Sequence, residues 1–245
     1  MTFRSGLGIW QILSSELITD IIGKSGFDLS ILDLEHGLHD HQTVQKCLFA
    51  AQSNNLLTIV RVPSINYPYL NQLVDSGVDG ILFPHIENTS QIDSLKSNAL
   101  LYPAGNRSFS PFVHRFSYGK ASPAKDHNPN IGILIESLKG IKSSDDLLAD
   151  SYIDFVYFGA YDISVELSCK GDIFSEPVIN QLRELLKLSK HYKKKMLAIY
   201  RTLDELKILL ELGVQYPIAS VDTSKFFNSL NSDVIEYTSI MRDYC

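Results

Sequence analysis

FDLSILDLE, residues 27–35, is a short apolar run that ends in carboxylates, with His36 directly behind it. A run of this length and composition fits a strand buried on both faces, as parallel sheets require. Seven further runs resemble it: LGIWQIL (7–13), LLTIVRVP (56–63), DGILFPHI (79–86), IGILIES (131–137), DFVYFGA (154–160), KMLAIY (195–200) and YPIASVD (216–222). Helical spacing fills the segments between them. In SSELITDIIGKSG, Ser14 or Ser15 can cap and Gly26 can stop a helix; in TLDELKILLELG, Thr202 and Glu205 form a capping box and Gly213 ends it. Eight strands alternating with helices predict a closed parallel (β/α)8 barrel, a TIM barrel, as one domain over residues 1–245. A doubly wound open sheet is the alternative, weakened because no Gly-rich phosphate turn follows the first strand.

Residues 101–130, LYPAGNRSFSPFVHRFSYGKASPAKDHNPN, break this rhythm. The connection is too long for an ordinary αβ link, and Phe109, Phe112, Phe116 and Tyr118 are too apolar for a solvated linker. It reads as an ordered active-site or interface loop, with a surface excursion as the plainer alternative.

A formal charge of −6 with interspersed signs argues against a nucleic-acid surface. The basic run Lys193–Lys195 reads as a solvated helix end. Cys47, Cys169 and Cys245 are three in number and far apart, so neither a disulfide framework nor a zinc knot is indicated, and a reducing compartment fits. No apolar stretch approaches membrane-spanning length and the first residues lack a signal-peptide core. The expectation is a cytoplasmic protein without nucleic-acid or membrane partners.

Barrel chemistry gathers where strands end. Asp33, Glu35 and His36 follow the second strand, Arg61 the third, Glu136 the fifth and Asp162 the sixth. A carboxylate after the apolar run IGILI must be protonated, paired or metal-bound, and Glu136 with Asp162 would suit a hard divalent ion completed by water and substrate oxygens. Salt bridging, or helix capping by Asp162, is the plainer alternative. His36 beside acids suits a general base. Zinc held by His36, His39 and His41 is a rival, but the spacing matches no zinc pattern, and His39 and His41 read as solvated loop residues or the start of the second helix. Arg61, aimed by the extended Val62-Pro63 exit, could clamp a carboxylate or stabilise an oxyanion, or simply pair with Asp33 or Glu35.

GFDLSILDLEHG, TIVRVPS, LVDSGVDGILFPHIENTSQ, YPAGNRS, IGILIES, DFVYFGAYDIS and ASVDTS, in this order, resemble the HpcH/HpaI aldolases, metal-dependent class II pyruvate aldolases. The resemblance implies a (β/α)8 barrel assembled as a homo-oligomer, a hexamer. It implies Glu136 and Asp162 as ligands of Mg²⁺ or Mn²⁺, with Co²⁺ also suitable, His36 as base and Arg61 as the residue that steadies the enolate oxygen. Asp75 would tune the histidine, across a subunit interface in one arrangement, and Asp33 and Glu35 would support the site. Backbone at Gly159, Ala160 and Tyr161 would receive a substrate carboxylate. The reaction implied joins or splits pyruvate, a 2-oxo acid, and an aldehyde. Three departures bear on substrate choice: Leu134 replaces a polar residue, Ser108 a glycine and Ala160 a proline. Two alternatives follow, a citrate-lyase-like enzyme acting on a CoA thioester and a catalytically silent or sugar-binding member.

Overall fold

The computed structural model describes residues 5–122, 128–242 and 244. Eight strands form it: β1 (Gly8–Gln11), β2 (Leu29–Asp33), β3 (Leu57–Arg61), β4 (Gly80–Phe83), β5 (Asn130–Ile135), β6 (Phe155–Phe158), β7 (Lys195–Tyr200) and β8 (Tyr216–Val221). All pair in parallel in sequence order, and β8 closes on β1 through Gly8–Ile218 and Trp10–Val221 with an irregularity between. Seven strands lie within the segments expected, and β5 begins one residue before its segment, at Asn130. The strands are buried on both faces over nearly their whole length, which explains why they read as continuous apolar runs.

The helices are α1 (Glu16–Lys24), α2 (His41–Ser53), α3 (Leu70–Asp75), α4 (Thr89–Ala99), α5 (Leu138–Ala149), α6 (Ala160–Glu166), α7 (Glu176–His191), α8 (Leu203–Leu212) and α9 (Asp222–Met241). Ser15 caps α1, and Thr202 and Glu205 form the capping box of α8, which ends at Gly213 in the left-handed region at φ 91°. The short α6 is the addition to the eightfold pattern, inserted at the carboxyl end of β6.

Two expectations change here. Lys193–Lys195 does not form a solvated helix end: α7 stops at His191, Lys194 donates to the carbonyls of Asp150 and Ile153 at 2.7 Å each, and Lys195 opens β7. The Lys194 ammonium thus satisfies carbonyls just ahead of β6. The connection after α4 is ordered around a 3-10 segment, His114–Gly119, with Phe116 fully buried. It packs at the amino-terminal end of the barrel, where Arg115 donates to the carbonyls of Val74 and Val78 ahead of β4. An αβ link returns the chain to that end, so in one subunit its described residues stand apart from the carboxyl-terminal mouth; residues 123–127 of the loop lie outside the described residues.

α9 also stands apart. From Ser224 onward its residues are exposed, including Phe226, Leu230, Val234, Tyr237 and Met241, which recur at helical spacing along one face. Leu17 and Ile21 of α1 and Leu203 and Leu210 of α8, which would flank a helix seated after β8, are exposed as well. Its position is therefore not that of a barrel's own packed eighth helix.

Candidate active site

Asp33 ends β2 and is 1% exposed. Its Oδ1 accepts from the backbone of Glu35 at 3.0 Å and His36 at 3.3 Å, a turn that folds the chain over the strand end. From β3, Arg61 meets it with two donors, Nε to Oδ1 at 2.9 Å and Nη2 to Oδ2 at 2.5 Å. Glu35 Oε2 lies 3.1 Å from Arg61 Nη1, close enough for an ion pair but not aligned for a hydrogen bond. The guanidinium lies 4.7 Å over the ring of Trp10, a cation–π contact. Burial opposes its charge, and the hydrogen bonds and charge of Asp33 more than offset this, raising its pKa. Pairing and an inward-facing guanidinium thus hold together.

Glu136 follows β5 and is 7% exposed. Its Oε1 accepts from the backbone of His85 at 2.8 Å and lies 2.8 Å from Nδ1 of the same residue, whose Nε2 is 3.5 Å from Glu35. His85 follows β4 in the left-handed region at φ 55°. Burial raises the Glu136 pKa; the His85 amide and ring oppose the shift, while the charges of Asp162 and Glu35 add to it. Asp162 sits in the first turn of α6, where Gly159 holds the N-cap position without a side-chain cap. Asp162 is thus not the cap itself.

A cavity of about 320 Å³ opens at the carboxyl ends of the strands. Asp33, His36, Arg61, Glu136, Gly159, Ala160, Tyr161 and Asp162 line it, together with Trp10, Leu134, Tyr157 and Val221. Nine of the residues singled out in the sequence, Leu134 among them, therefore line one cavity. Glu35 joins them through Arg61 and His85. Asp222, which opens α9, accepts from the backbone of Ile12 and Leu13 at 3.0 Å each and ties the β1 loop to the end of β8.

Asp75 does not line this cavity. It ends α3 and pairs with Arg107 Nη1 at 2.7 Å; burial raises its pKa against that pairing. Within one chain its partner is this guanidinium rather than the His36 imidazole. His39 is not solvated either: it is buried, its Nε2 is 3.2 Å from the Gln11 carbonyl, and burial lowers its pKa. His41 does begin α2, stacked on Tyr69.

His85, Trp10 and Tyr157 escaped the sequence reading. His85 carried the same signal as Glu136, an ionisable residue just past a buried strand; the two aromatics lie inside strands and read as core.

Among the described residues, no group of three or more His, Cys, Asp or Glu side chains is arranged to hold a metal ion. The donor set nevertheless fits a hard ion bound by two carboxylates: Glu136 and Asp162 line the same cavity, and the charge of Asp162 raises the Glu136 pKa, a repulsion that a cation relieves.

Residues 6–228 match the model of the HpcH/HpaI aldolase/citrate lyase family. The chain belongs to this family. A 5-keto-4-deoxy-D-glucarate aldolase of Enterobacter sp. (strain 638) is 26% identical, the alignment covering 90% of this chain and 87% of that protein. Among solved structures, an HpcH/HpaI aldolase/citrate lyase family protein from Burkholderia cenocepacia J2315 superposes with TM-score 0.87 at 20% identity, covering 96% of this chain and 95% of that one. Citrate synthase SbnG superposes with TM-score 0.85 at 22% identity, covering 96% and 94%. Both share the fold. HpcH/HpaI membership carries the broad class of activity, aldolase or lyase chemistry at a carbon–carbon bond.

Proposed function

We propose that the chain makes or breaks a carbon–carbon bond through a stabilised enolate formed in the cavity at the barrel mouth. The observation that carries this reading is the convergence of His36, Arg61, Glu136 and Asp162 on one cavity. The same convergence weighs against a silent or sugar-binding member.

Glu136 and Asp162 would hold the divalent ion, Mg²⁺ or Mn²⁺, with Co²⁺ also suited to these donors. Such an ion supplies Lewis-acid stabilisation of developing negative charge when bound. Arg61, kept charged and oriented by Asp33 and Glu35, directs its remaining N–H groups at the substrate oxygen. His36 takes and returns the proton at the reacting carbon or at the aldol hydroxyl. Backbone at Gly159, Ala160 and Tyr161 seats the carboxylate, and Leu134 gives the wall an apolar face.

Two enolate donors fit. A citrate-lyase-like reaction on a CoA thioester is at least as well supported as pyruvate aldol chemistry, because the family spans both branches. The pyruvate reading, with an aldehyde as second substrate, draws on the 5-keto-4-deoxy-D-glucarate aldolase relative. Product analysis separates them. Pyruvate with an aldehyde panel, and the CoA-thioester series (citryl-CoA alone, acetyl-CoA with oxaloacetate), are each incubated with the protein and Mg²⁺; a new carbon–carbon bond or its cleavage in one series assigns the donor, and none in either contradicts the proposal.

The assembly we propose is a homo-oligomer, with a hexamer as its expected form, in which α9 seats its apolar stripe on a second copy between α1 and α8. Helix and seat are both exposed within one chain, and each has the apolar side chains the other needs. Assembly would also offer Asp75 a route to a neighbour's His36. We place the protein in the cytoplasm, where the free thiols of Cys47 and Cys169 stay reduced; Cys245 lies outside the described residues. Among the described residues, no helix is long and apolar enough to cross a membrane.

A further inference from the structure

Tyr157, on β6, carries a hydroxyl that the roles above leave unused. Its side chain is only 4% exposed, yet it lines the cavity with Arg61, His36 and Glu136. The phenol oxygen accepts a hydrogen bond of 2.6 Å from Nε1 of Trp10, and the two rings meet edge to face with centroids 5.2 Å apart. An indole nitrogen only donates, so the phenol is the acceptor of this pair and its own proton must go elsewhere. Among the described residues no group accepts it. The Trp10 ring is itself fixed beneath the Arg61 guanidinium, so the hydroxyl is held at one place on the wall. Burial raises the Tyr157 pKa far above the ordinary phenol value, which keeps the proton on the oxygen.

A buried donor with no protein acceptor, on the wall of a cavity, is matched when the cavity's occupant supplies an oxygen. We propose that Tyr157 donates this hydrogen bond to an oxygen of the bound 2-oxo acid, in the cavity it lines with Arg61, and is a substrate-binding residue. The inference rests on the enolate reading above but not on the choice of donor, since pyruvate and the oxaloacetate released by citrate cleavage are both 2-oxo acids. A phenol that donates also becomes a better acceptor, so occupancy strengthens the Trp10 hydrogen bond.

Trp10 is the sequence's single tryptophan, so its indole N–H gives one resonance to follow by NMR. Pyruvate and oxaloacetate are titrated in turn, with Mg²⁺, into the wild-type protein and into Tyr157→Phe, with affinities from calorimetry. The expected result is a downfield shift of the indole resonance in the wild type for at least one acid, and an affinity for that acid lowered about 10- to 100-fold in Tyr157→Phe. The inference is overturned if no acid that the wild type binds moves the indole resonance, or if Tyr157→Phe binds the acid that moves it as tightly as the wild type. Should Tyr157→Phe fail to fold, the wild-type resonance alone decides. Binding of neither acid by the wild type would instead overturn the enolate reading, and this inference with it.

Discussion

A methyl group placed on Gly159 would lie 2.3 Å from Cβ of Glu136. The two residues leave adjacent strands, and the Gly159 amide donates to the Ile135 carbonyl at 2.8 Å, so the backbones cannot separate cheaply. Gly159→Ala is therefore expected to push Glu136 out of place. Turnover should fall about 100-fold, as misplacement by about 1 Å can cost that much, with a stability loss of about 1–3 kcal/mol from overpacking. Steady-state kinetics and urea denaturation check both; unchanged turnover would show that the position of Glu136 is immaterial.

Asp33 and Arg61 form a buried, doubly hydrogen-bonded pair. Asp33→Ala leaves the guanidinium beside Glu35 alone and is expected to destabilise the barrel by about 3–5 kcal/mol. The midpoint of urea unfolding measures it. A loss well under 1 kcal/mol would mean that Glu35 and Trp10 suffice to hold Arg61.

Burial holds the folded-state pKa of His39 below its ordinary 6.5. The unfolded chain then binds more protons near and below that pH, so this residue makes stability rise with pH through the window and fall on acidification. His39→Gln keeps a donor near the Gln11 carbonyl and removes the titration. Its stability should change less than the wild type's between about pH 7 and pH 5, read from unfolding curves at each pH. Parallel curves would exclude His39 as a source of acid sensitivity.

Leu230 and Val234 lie on the exposed stripe of α9. With both replaced by Asp, the protein is expected to elute as a smaller species while the circular dichroism of the barrel persists, because the charge falls on the surface assigned to a second copy. Light scattering after gel filtration reports the mass. An unchanged mass would place the subunit contacts elsewhere.

The barrel was legible in the sequence because double-faced burial leaves each strand as an uninterrupted apolar run, and because Ser15, Thr202 and Gly213 mark helix ends by local chemistry alone. The mouth was legible for the same reason: Asp33, Arg61 and Glu136 are ionisable residues at the ends of such runs. What stayed hidden depends on packing between distant elements. Nothing near Asp75 announces Arg107 as its partner, nor does the neighbourhood of His39 show that it is covered. Trp10 and Tyr157 read as core because an aromatic inside a strand looks alike whether its polar atom faces protein or cavity. An amphipathic α9 has one pattern for two destinations, its own barrel or a neighbour's.

Enolate formation is the step on which every role assigned to His36, Arg61, Glu136 and Asp162 depends. Proton NMR in deuterated buffer with Mg²⁺ follows it directly, through the methyl signals of pyruvate and of acetyl-CoA incubated separately with the folded protein. Loss of one of these signals to deuterium, slowed severely by His36→Ala, is the result expected. Methyl groups that both keep their protons, at a rate no faster than in buffer alone, would contradict the account.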